Sequence, residues 1–536
     1  MKKKLLLTLT AAFLFLMSNA SFGQAINLGT AANFVLFSSN GALSNTGISN
    51  LTGNVGSNSG SSTGFGNVNG VMNNNNGASA QCSADLLLAY NQLHSTVATF
   101  SHAPLLGNGE TLVAGVYAIA GATTLNLSLT LDAQGNSNAV FIINVAGTFS
   151  TNAAAKVHLI NGAMASNVYW TVEGLVSLAS KTKMRGTIIA NNAAIVLTTN
   201  DTIEGRALTT AGAITISGVL AYTPVVAGAP LLTGPIAPNL GSTKCYALFS
   251  ANGPVSNLGV SSVMGDVGTN VGLTSGFDAL LVTGAIHAIA DGSTAQCAAD
   301  LLVMYDSLNT LPADIELLYP AQFGQNLVLT PHTYLLNAAT ALTDSLYLDA
   351  MGNTNAVFVI KISGALSTST HAKVILINGT QSKNVYWKVD GPVDINDYSE
   401  FKGIIVANNG AVSLKTGVIL DGRAYTTTGA FATAGITTTM PSTCTVTAVN
   451  TLSTNNAVTI APNPFGSYTT ITLGDASKIN KYELVMYNVM GKVVMNTTIT
   501  NQLTTLNTSN FHTGIYFYKV MENDKVVQSG KLISNQ

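Results

Sequence analysis

Leucine and hydroxyl- or amide-bearing residues alternate without a break in one segment of the chain. Between Thr124 and Leu131 every second residue is leucine, and the residues between them are serine, threonine or asparagine. A period of two predicts a β-strand with one face buried and the other in contact with solvent. The segment therefore indicates a sheet whose outer face carries hydroxyls and amides.

Three further stretches follow one another at a spacing of 19 residues (187 − 168 and 206 − 187), beginning at Val168, Thr187 and Arg206. Each contains short apolar, strand-like segments separated by small turn residues. This arrangement of short strands predicts a parallel β-helix. One apolar residue from each stretch is predicted to face inward, so that the core contains a ladder of Leu178, Leu197 and Ile216.

A helical pattern interrupts these strands. From Ser83 to about Ala98 the apolar residues fall on one stripe of a helix, and Ser83 is its predicted N-cap. A second helix is predicted from about Ala295 to Leu308, with Pro312 a few residues beyond its end. Each helix is expected to cover one face of its β-helix and to leave the other faces free.

The chain contains the same folding unit twice. The segment Leu131–Phe141 recurs as Leu348–Phe358, an offset of 217 residues (348 − 131), and several other motifs recur at the same offset. We therefore predict one β-helical domain over 24–225, a proline-containing linker over 226–239, and a second β-helical domain over 240–440.

The C-terminal part has a different pattern. After a predicted linker over 441–457, short strand-like segments at regular spacing predict a small β-sandwich over 458–536. The predicted fold class is mainly β, with two tandem β-helix domains, a flanking α-helix on each, and this C-terminal sandwich.

The composition excludes several classes of partner. Charged residues form only 9% of the chain, and its formal net charge is −2, so nothing favours nucleic acid or an anionic membrane. Hydrophobic residues form 47%, which is ample for two large cores. The outer surface must then be largely uncharged and polar.

The N-terminus predicts export. Residues 1–23 combine three lysines, an apolar stretch from Leu5 to Met17 and small residues before Gln24, a pattern typical of a secretory signal peptide. No later stretch reaches the ~20 apolar residues of a spanning helix, so we expect no transmembrane segment.

The four cysteines are too few for a disulfide-based fold. Cys82 and Cys297 occupy equivalent positions in the two copies and are predicted to be buried thiols. Cys245 and Cys444 bracket the second copy, and a weaker interpretation pairs them in an oxidising compartment.

Both copies resemble the ice-binding-like domain of microbial ice-binding proteins. In the first copy the resemblance rests on Leu28–Thr30, Gly53–Gly56, Leu131–Phe141, Asn167–Trp170 and Gly205–Ala207, and it spans nearly the whole copy. It implies a right-handed, three-faced β-helix with a long helix packed alongside. It also implies a secreted protein that adsorbs to the surface of an ice crystal and inhibits ice growth or recrystallisation.

The C-terminal region resembles the type A sorting domain of the type IX secretion system. The matching motifs are Ala461–Pro464, Tyr487–Gly491, Gly514–Tyr516 and Gly530–Ile533, in the expected order. The resemblance implies a Bacteroidota-type bacterium and recognition by the type IX secretion machinery. The product is then either secreted or attached to the outer-membrane surface.

Ice recognition needs a flat, uncharged lattice of methyls and hydroxyls, and threonine supplies both on a stiff side chain. In some members of the resembled family the ice face carries a Thr-Ala/Gly-X-Thr/Asn tetrad after the second strand of each repeat. The matching and adjacent positions predict an ice-binding site made of Ser150, Thr151, Ser180, Thr182, Thr198, Thr199, Thr202 and Ser217 in the first copy, and of Thr368, Thr370 and Thr416 in the second.

The tetrads depart from this pattern. In the first copy the Ala/Gly position holds Asn152, Lys181 or Asn200, and Lys183 is expected to bring a charge onto the patch. One tetrad of the second copy contains Asp397, Tyr398 and Glu400. We therefore expect the first copy to bind ice more strongly. The alternative is that these threonines are ordinary turn and edge residues of a β-helix.

Candidate catalytic and metal motifs are weak. Gly60–Gly64 fits G-x-S-x-G but lies in a Gly/Ser-rich loop rather than at a strand-to-helix turn. The histidines lack metal-ligand spacing, and Asp132 and Asp349 are interpreted as turn residues rather than calcium ligands. We predict a non-enzymatic protein without cofactor or metal. The alternative function is a surface adhesin or matrix component that binds glycan or protein through the same β-helix.

Overall fold

The structure is a computed structural model that describes residues 26–226, 228–440, 457–523 and 525–535. The chain divides after residue 444 into two compact units. The signal peptide predicted over 1–23 and residues 441–456 of the second predicted linker lie outside the described residues.

The first unit contains two parallel β-helices, called here domain 1 and domain 2. Each has an eight-stranded sheet, which we call the open face, and a fourteen-stranded sheet that forms the other two faces. The open-face strands of domain 1, in spatial order, are Leu105–Gly107, Thr123–Asn126, Phe149–Thr151, Val176–Ser177, Ile195–Leu197, Ile214–Ser217, Leu43–Thr46 and Ser62–Thr63.

The fourteen-stranded sheet of domain 1 contributes two rows of strands. The row beneath the helix, the helix face, contains Phe100–His102, Gly115–Ile119, Phe141–Val145, Val168–Val172, Lys183–Ala190, Thr202–Thr209, Phe34–Ser38, Asn54–Ser57 and Met72–Asn74. The third face contains Glu110–Val113, Ser128–Asp132, Lys156–Ile160, Leu220–Tyr222 and Asn50–Thr52, together with the first residues of the two eight-residue strands.

Domain 2 repeats this plan. Its open face contains Phe323–Gly324, Thr340–Thr343, Leu366–Thr368, Val393–Ile395, Val412–Leu414, Phe431–Ala434, Val255–Leu258 and Thr274–Ser275. Its helix face contains Ile315–Glu316, Thr333–Leu336, Phe358–Ile362, Val385–Val389, Glu400–Ala407, Ile419–Thr426, Tyr246–Ser250, Asp266–Thr269 and Ile286–His287. Its third face contains Leu327–Leu329, Ser345–Asp349, Lys373–Ile377, Thr437–Thr439 and Ser262–Val263.

Each domain has one long helix, α1 over Gly77–Ser95 and α2 over Gly292–Thr310. Nineteen residues give a helix about 28 Å long, close to six strand spacings, so the helix returns the chain along the stack. The predicted N-cap Ser83 is wrong. Helix α1 begins earlier because the Asn76 side chain accepts a hydrogen bond from the backbone N–H of Ser79 and forms a capping box with it.

The predicted inward ladder is confirmed. Leu178, Leu197 and Ile216 are at most 1% exposed, and the last two are register partners. Trp170 and Trp387 fill equivalent positions in the two cores, and each indole N–H donates to a backbone carbonyl. The centre of each β-helix is a large apolar cluster, which is one reason why the chain carries so few charges.

The alternating segment 124–131 forms two strands rather than one. The chain turns at Leu127, which has φ +54° and is 65% exposed, so the first strand lies on the open face and the second on the third face. Leucine is unusual in a left-handed conformation. Alternation alone does not show where a β-helix turns a corner.

In contrast, one strand crosses the boundary between two of the predicted stretches, which the sequence pattern places at Thr187. Lys183–Ala190 runs from the third face onto the helix face and bends at Gly186, which has φ +102°. The neighbouring strand places Gly205 directly against it, and a Cβ there would lie 1.8 Å from the Gly186 carbonyl oxygen. Because neither glycine has a Cβ, the two adjacent strands can bend at this corner and still remain in contact.

Domains 1 and 2 are joined by a polar contact in which equivalent faces meet. Asn67 Nδ2 donates to the Tyr319 carbonyl at 2.9 Å, and Asn69 Nδ2 donates to Thr330 Oγ1 at 3.0 Å. Third-face strand Asn50–Thr52 packs against third-face strand Leu327–Leu329. A cavity of about 80 Å³ separates the open-face ends, lined by Gly64 and Gly324 among others.

The predicted buried thiols are confirmed, since Cys82 and Cys297 are free, buried and packed under their helices. Burial raises the pKa of both thiols. Cys245 is disulfide-bonded. Its predicted partner, Cys444, lies outside the described residues.

The second unit contains two antiparallel sheets. One consists of Val458–Ala461, Tyr468–Leu473 and Leu503–Asn507, and the other of Val493–Thr498, Tyr482–Asn488, Gly514–Glu522 and Lys525–Ser534. They enclose an apolar core around Phe465, Leu484 and Val520. This agrees with the predicted small all-β C-terminal region.

Candidate binding surface

The open face of domain 1 presents a regular grid of small, uncharged side chains. The central row follows from the strand register and contains Thr63, Ser44, Thr215, Val196, Ser177, Ser150, Thr124 and Leu105. All of these residues are half-buried or exposed. Strand spacing near 4.8 Å and side-chain alternation near 6.8 Å set the two repeats of the grid.

Two further rows flank this central row, because residues two positions away on a strand point to the same side. One row contains Ala42, Ala213, Ala194, Leu175, Thr148 and Ala122, and the other contains Thr46, Ser217, Thr198, Ala179, Asn152 and Asn126. None of the residues named in the three rows carries a charge. The largest side chain near the centre is Leu175, which is 42% exposed.

Hydrogen bonds within the rows hold some of these side chains in place. Thr124 and Ser150 share a bond of 3.0 Å between their hydroxyl oxygens. Asn152 Nδ2 donates to Asn126 Oδ1 at 2.7 Å. Because neighbouring side chains are tied across adjacent strands, their polar atoms lie at repeating positions.

The third face of the same domain differs sharply in charge. Its outward residues include Lys156, His158, Lys183, Arg185 and Glu204. Arg185 and Glu204 form an ion pair. The charge that Lys183 was expected to bring to the predicted patch therefore lies on another face.

Eight of the predicted site residues are not on this grid. Thr151, Thr182 and Thr368 are 6%, 0% and 3% exposed, so these three positions are corrected from surface to interior. Ser180, Thr199, Thr370 and Thr416 are exposed at the corner between the open and third faces. Thr202 lies on the third face, paired with Lys183. Ser150, Thr198 and Ser217 do lie on the open face.

The buried threonines complete the hydrogen bonding of the corner. Thr151 Oγ1 and Thr182 Oγ1 are 2.8 Å apart, and Thr182 Oγ1 donates to the Ala179 carbonyl at 2.5 Å. Thr151 Oγ1 also accepts from the Ala179 N–H at 2.9 Å. The hydroxyls of Thr151 and Thr182 thus satisfy backbone groups that the turn leaves unpaired.

A buried carboxylate supports the same corner. Asp201 is 0% exposed and accepts hydrogen bonds from the backbone N–H groups of Thr182 at 2.9 Å and Thr198 at 2.6 Å. Burial raises the pKa of Asp201 to about 6, against the lowering effect of these bonds. Its counterpart in domain 2 is Val418, which is also fully buried.

The open face of domain 2 has the same backbone grid and different side chains. Its central row contains Ser275, Ser256, Ala432, Ser413, Asp394, Ser367 and Ala341. Lys415 stands in the next row, and its Nζ lies 2.9 Å from Asp394 Oδ2. This ion pair occupies the positions of Ser177 and Thr198 in domain 1, and both charged side chains are over 40% exposed.

Sequence reasoning missed seven of the ten Ser and Thr residues of the domain 1 grid, including Ser44, Thr46, Thr63, Thr124 and Thr215. The signal was present in the alternation of segments such as Ala213–Ser217, where Ile214 and Ile216 are buried and the residues between them are not. We selected residues by a tetrad that begins after the strand instead of by the strand itself.

Comparison with known proteins identifies the family. The model of the ice-binding-like family matches residues 37–220 and 249–439, and that of the secretion system C-terminal sorting domain matches residues 459–535. This chain belongs to the ice-binding-like family.

One solved structure covers both domains of this family member. The crystal structure of an ice binding protein from an Antarctic bacterium of the Flavobacteriaceae is 59% identical, with a TM-score of 0.75. The match covers 77% of this chain and 98% of that one.

Two shorter relatives match about one domain. An ice-binding protein of Nostoc sp. is 33% identical over 193 residues, which is 36% of this chain and 70% of the relative. An ice-binding protein of Colwellia sp. is 27% identical over 209 residues, covering 36% of this chain and 80% of the relative.

Proposed function

We propose that this protein binds ice through the open face of domain 1. The observation that carries the proposal is the grid of small hydroxyl and methyl side chains, free of charge, along the strands of one sheet. The family match and the relatives that are named ice-binding proteins support the same conclusion.

The chemistry of the grid suits ordered water. Methyl groups of Thr, Val and Ala cannot hydrogen-bond and order the water beside them, whereas hydroxyls anchor individual water molecules. A charged group holds its own hydration shell, which does not match a crystal lattice. A face of small neutral side chains on a parallel sheet can therefore contact ice without first removing strongly held water.

The proposed contact residues are now drawn from the rows of domain 1. We retain Ser150, Thr198 and Ser217 and add Ser44, Thr46, Thr63, Thr124, Thr148, Ser177 and Thr215. The exposed corner residues Ser180 and Thr199 stay as proposed rim positions, as do Thr370 and Thr416 in domain 2. Thr202 belongs to another face and is left out.

We further propose a non-enzymatic, cofactor-free protein that is exported by the type IX secretion machinery, which recognises the C-terminal domain. It ends either secreted or on the outer-membrane surface. The sorting-domain match supports export. No helix among the described residues has the length and apolar character needed to cross a membrane.

The proposal is tested by ice recrystallisation inhibition with the mature chain, from which the predicted signal peptide is omitted. We expect inhibition that persists at low micromolar protein and disappears after heat denaturation. Partition into a growing ice front distinguishes the alternative. A protein that is excluded from ice but retained by a glycan or protein matrix is an adhesin, and the ice proposal is then wrong.

A further inference from the structure

The two domains differ at the C-terminal end of the long helix. In domain 1 a groove of about 270 Å³ opens there between α1 and the helix face. Its apolar wall includes Ala118, Ala120 and Ala146, and its polar rim includes His94, Asn144 and Glu173. This groove is separate from the open face.

Domain 2 places two ammonium groups in the same region. Lys361, the counterpart of Asn144 (361 − 144 = 217), donates to the carbonyls of Asn309 at 2.9 Å and Leu311 at 2.6 Å, at the end of α2. Lys388, the counterpart of Thr171, is 4% exposed and pairs with Asp390. Domain 2 thus supplies its own cations to a carboxylate and to a helix C-terminus.

Domain 1 keeps the carboxylate but has no lysine at either position. Tyr90 donates to Glu173 at 2.6 Å, as Tyr305 donates to the equivalent Asp390 at 2.8 Å. Where domain 2 has its lysines, Thr171 donates to Asn144 instead. The basic side chain beside Glu173 is His94, with Nδ1 3.4 Å from Oε1 and a ring that is 59% exposed.

We propose that the groove of domain 1 binds an alkylammonium group. The ammonium takes the place of the domain 2 lysine nitrogens, between Glu173 and the end of α1, and the alkyl chain lies against Ala118 and Ala146. Charge-assisted hydrogen bonds to the carboxylate and to helix carbonyls hold it. The same chemistry is offered by a small free amine and by a lysine side chain of another protein.

The test is saturation-transfer NMR on n-butylammonium in the presence of the mature chain. We expect transfer to butylammonium and none to tetramethylammonium, which has the charge but no N–H donor. A lysine-containing peptide and its Nε-acetylated form identify the source, because a protein ligand predicts stronger transfer to the unmodified peptide than to butylammonium. Binding of either amine supports the shared chemistry.

Variants assign the signal to the groove. Asn144→Lys with Thr171→Lys installs the residues of domain 2, and we expect it to abolish binding. Glu173→Gln is expected to weaken binding about tenfold or more, as the loss of one charge-assisted hydrogen bond commonly does. Ser137→Lys with Asn138→Lys adds the same two charges in an exposed loop of domain 1 and should leave binding unchanged.

The reciprocal exchange gives a second test. Lys361→Asn with Lys388→Thr opens the groove of domain 2, and we expect the number of bound amines per chain to rise from one to two. Equal transfer to butylammonium from the wild type and from the Asn144→Lys, Thr171→Lys variant would overturn the proposal. So would the absence of transfer from the wild type to butylammonium at 50 mM amine, roughly fiftyfold above a millimolar dissociation constant.

Discussion

The two open faces share a backbone and differ in a few side chains. In domain 1 the central row is built from Thr, Ser and Val, with Leu105 at one end, whereas the equivalent row of domain 2 contains four serines but also Asp394. Lys415 pairs with that carboxylate across two strands. The β-helix backbone sets the positions of the side chains on both open faces. The exposed ion pair of domain 2 changes how that face is hydrated.

The two open faces also differ in how many threonines they carry, the residue that offers both a methyl and a hydroxyl. The rows of domain 1 include Thr46, Thr63, Thr124, Thr148, Thr198 and Thr215, whereas the equivalent positions of domain 2 hold Leu258, Ser275, Ala341, Ala365, Lys415 and Ala432. Except at Ser275, domain 2 is therefore either more apolar or charged where domain 1 offers a methyl and a hydroxyl together. We expect domain 1 to supply most of the ice affinity.

The strongest test of this difference between the domains is to place one lysine at the same grid point in each domain. Thr215→Lys in domain 1 is expected to remove most of the thermal hysteresis of the mature chain, because a hydrated charge then stands in the middle of the grid. Ala432→Lys, the equivalent change in domain 2, should remove little. A larger loss from Ala432→Lys would assign the activity to domain 2.

The reverse exchange should improve domain 2. Asp394→Ser with Lys415→Thr installs the residues that domain 1 has at these positions. Tested in a chain that already carries Thr215→Lys, it is expected to restore part of the thermal hysteresis. The ion pair is well exposed, so its loss should change the free energy of unfolding by no more than about 0.2–1 kcal/mol. No recovery in a folded variant would contradict the account of domain 2.

Because Asp201 is buried, we expect the stability of domain 1 to depend on pH. Its pKa is raised by burial to about 6, above an unfolded value near 3.9, so its contribution to stability is full below pH 4 and is lost as pH rises through 6. We expect domain 1 to lose about 1–3 kcal/mol of unfolding free energy between pH 4 and 7. Denaturant unfolding at a series of pH values measures this loss. The substitution Asp201→Asn should make the free energy of unfolding of domain 1 less dependent on pH.

Domain 2 supplies the internal control for this prediction. Val418 occupies the equivalent position and cannot titrate, so the unfolding transition of domain 2 should lack this component. If both transitions shift equally with pH and Asp201→Asn leaves them unchanged, the proposed role of the buried carboxylate is wrong.

The smallest expected effect on thermal hysteresis comes from substitutions at the corner between the open and third faces. Thr182→Val removes a buried hydroxyl that bonds both Thr151 and the Ala179 carbonyl, and is expected to cost about 1–3 kcal/mol of stability. Thr199→Val, at an exposed corner position, should change stability by less than about 0.5 kcal/mol. Thermal hysteresis measured well below the melting temperature of the protein should be unchanged in Thr182→Val. A loss of thermal hysteresis in the folded variant would show that Thr182 belongs to the ice-binding site.

The architecture could be predicted from sequence because two signals agreed. Repeated motifs at an offset of 217 residues defined the tandem unit, and the inward ladder of Leu178, Leu197 and Ile216 followed from apolar spacing. Both reflect the same requirement, since each repeat buries its apolar side only by stacking on a neighbour. The small antiparallel C-terminal region was predicted for a similar reason, from regularly spaced strands.

The site was harder to predict because corners do not follow from alternation. Leu127 continues the leucine pattern, yet its left-handed backbone turns the chain onto another face. Lys181 and Asn200 have the same conformation at equivalent corners, so residues after them point away from the open face. The helix start was missed because Asn76 and Ser79 cap it before the apolar stripe begins.

The central claim is that the open face of domain 1 is the surface that contacts ice. It is tested most directly by measuring how much labelled protein a growing ice hemisphere takes up. The wild type is compared with Thr215→Lys and with Thr130→Lys, which adds the same charge to the third face. The account predicts uptake of the wild type and Thr130→Lys and exclusion of most Thr215→Lys protein. Equal uptake of all three folded proteins would contradict it.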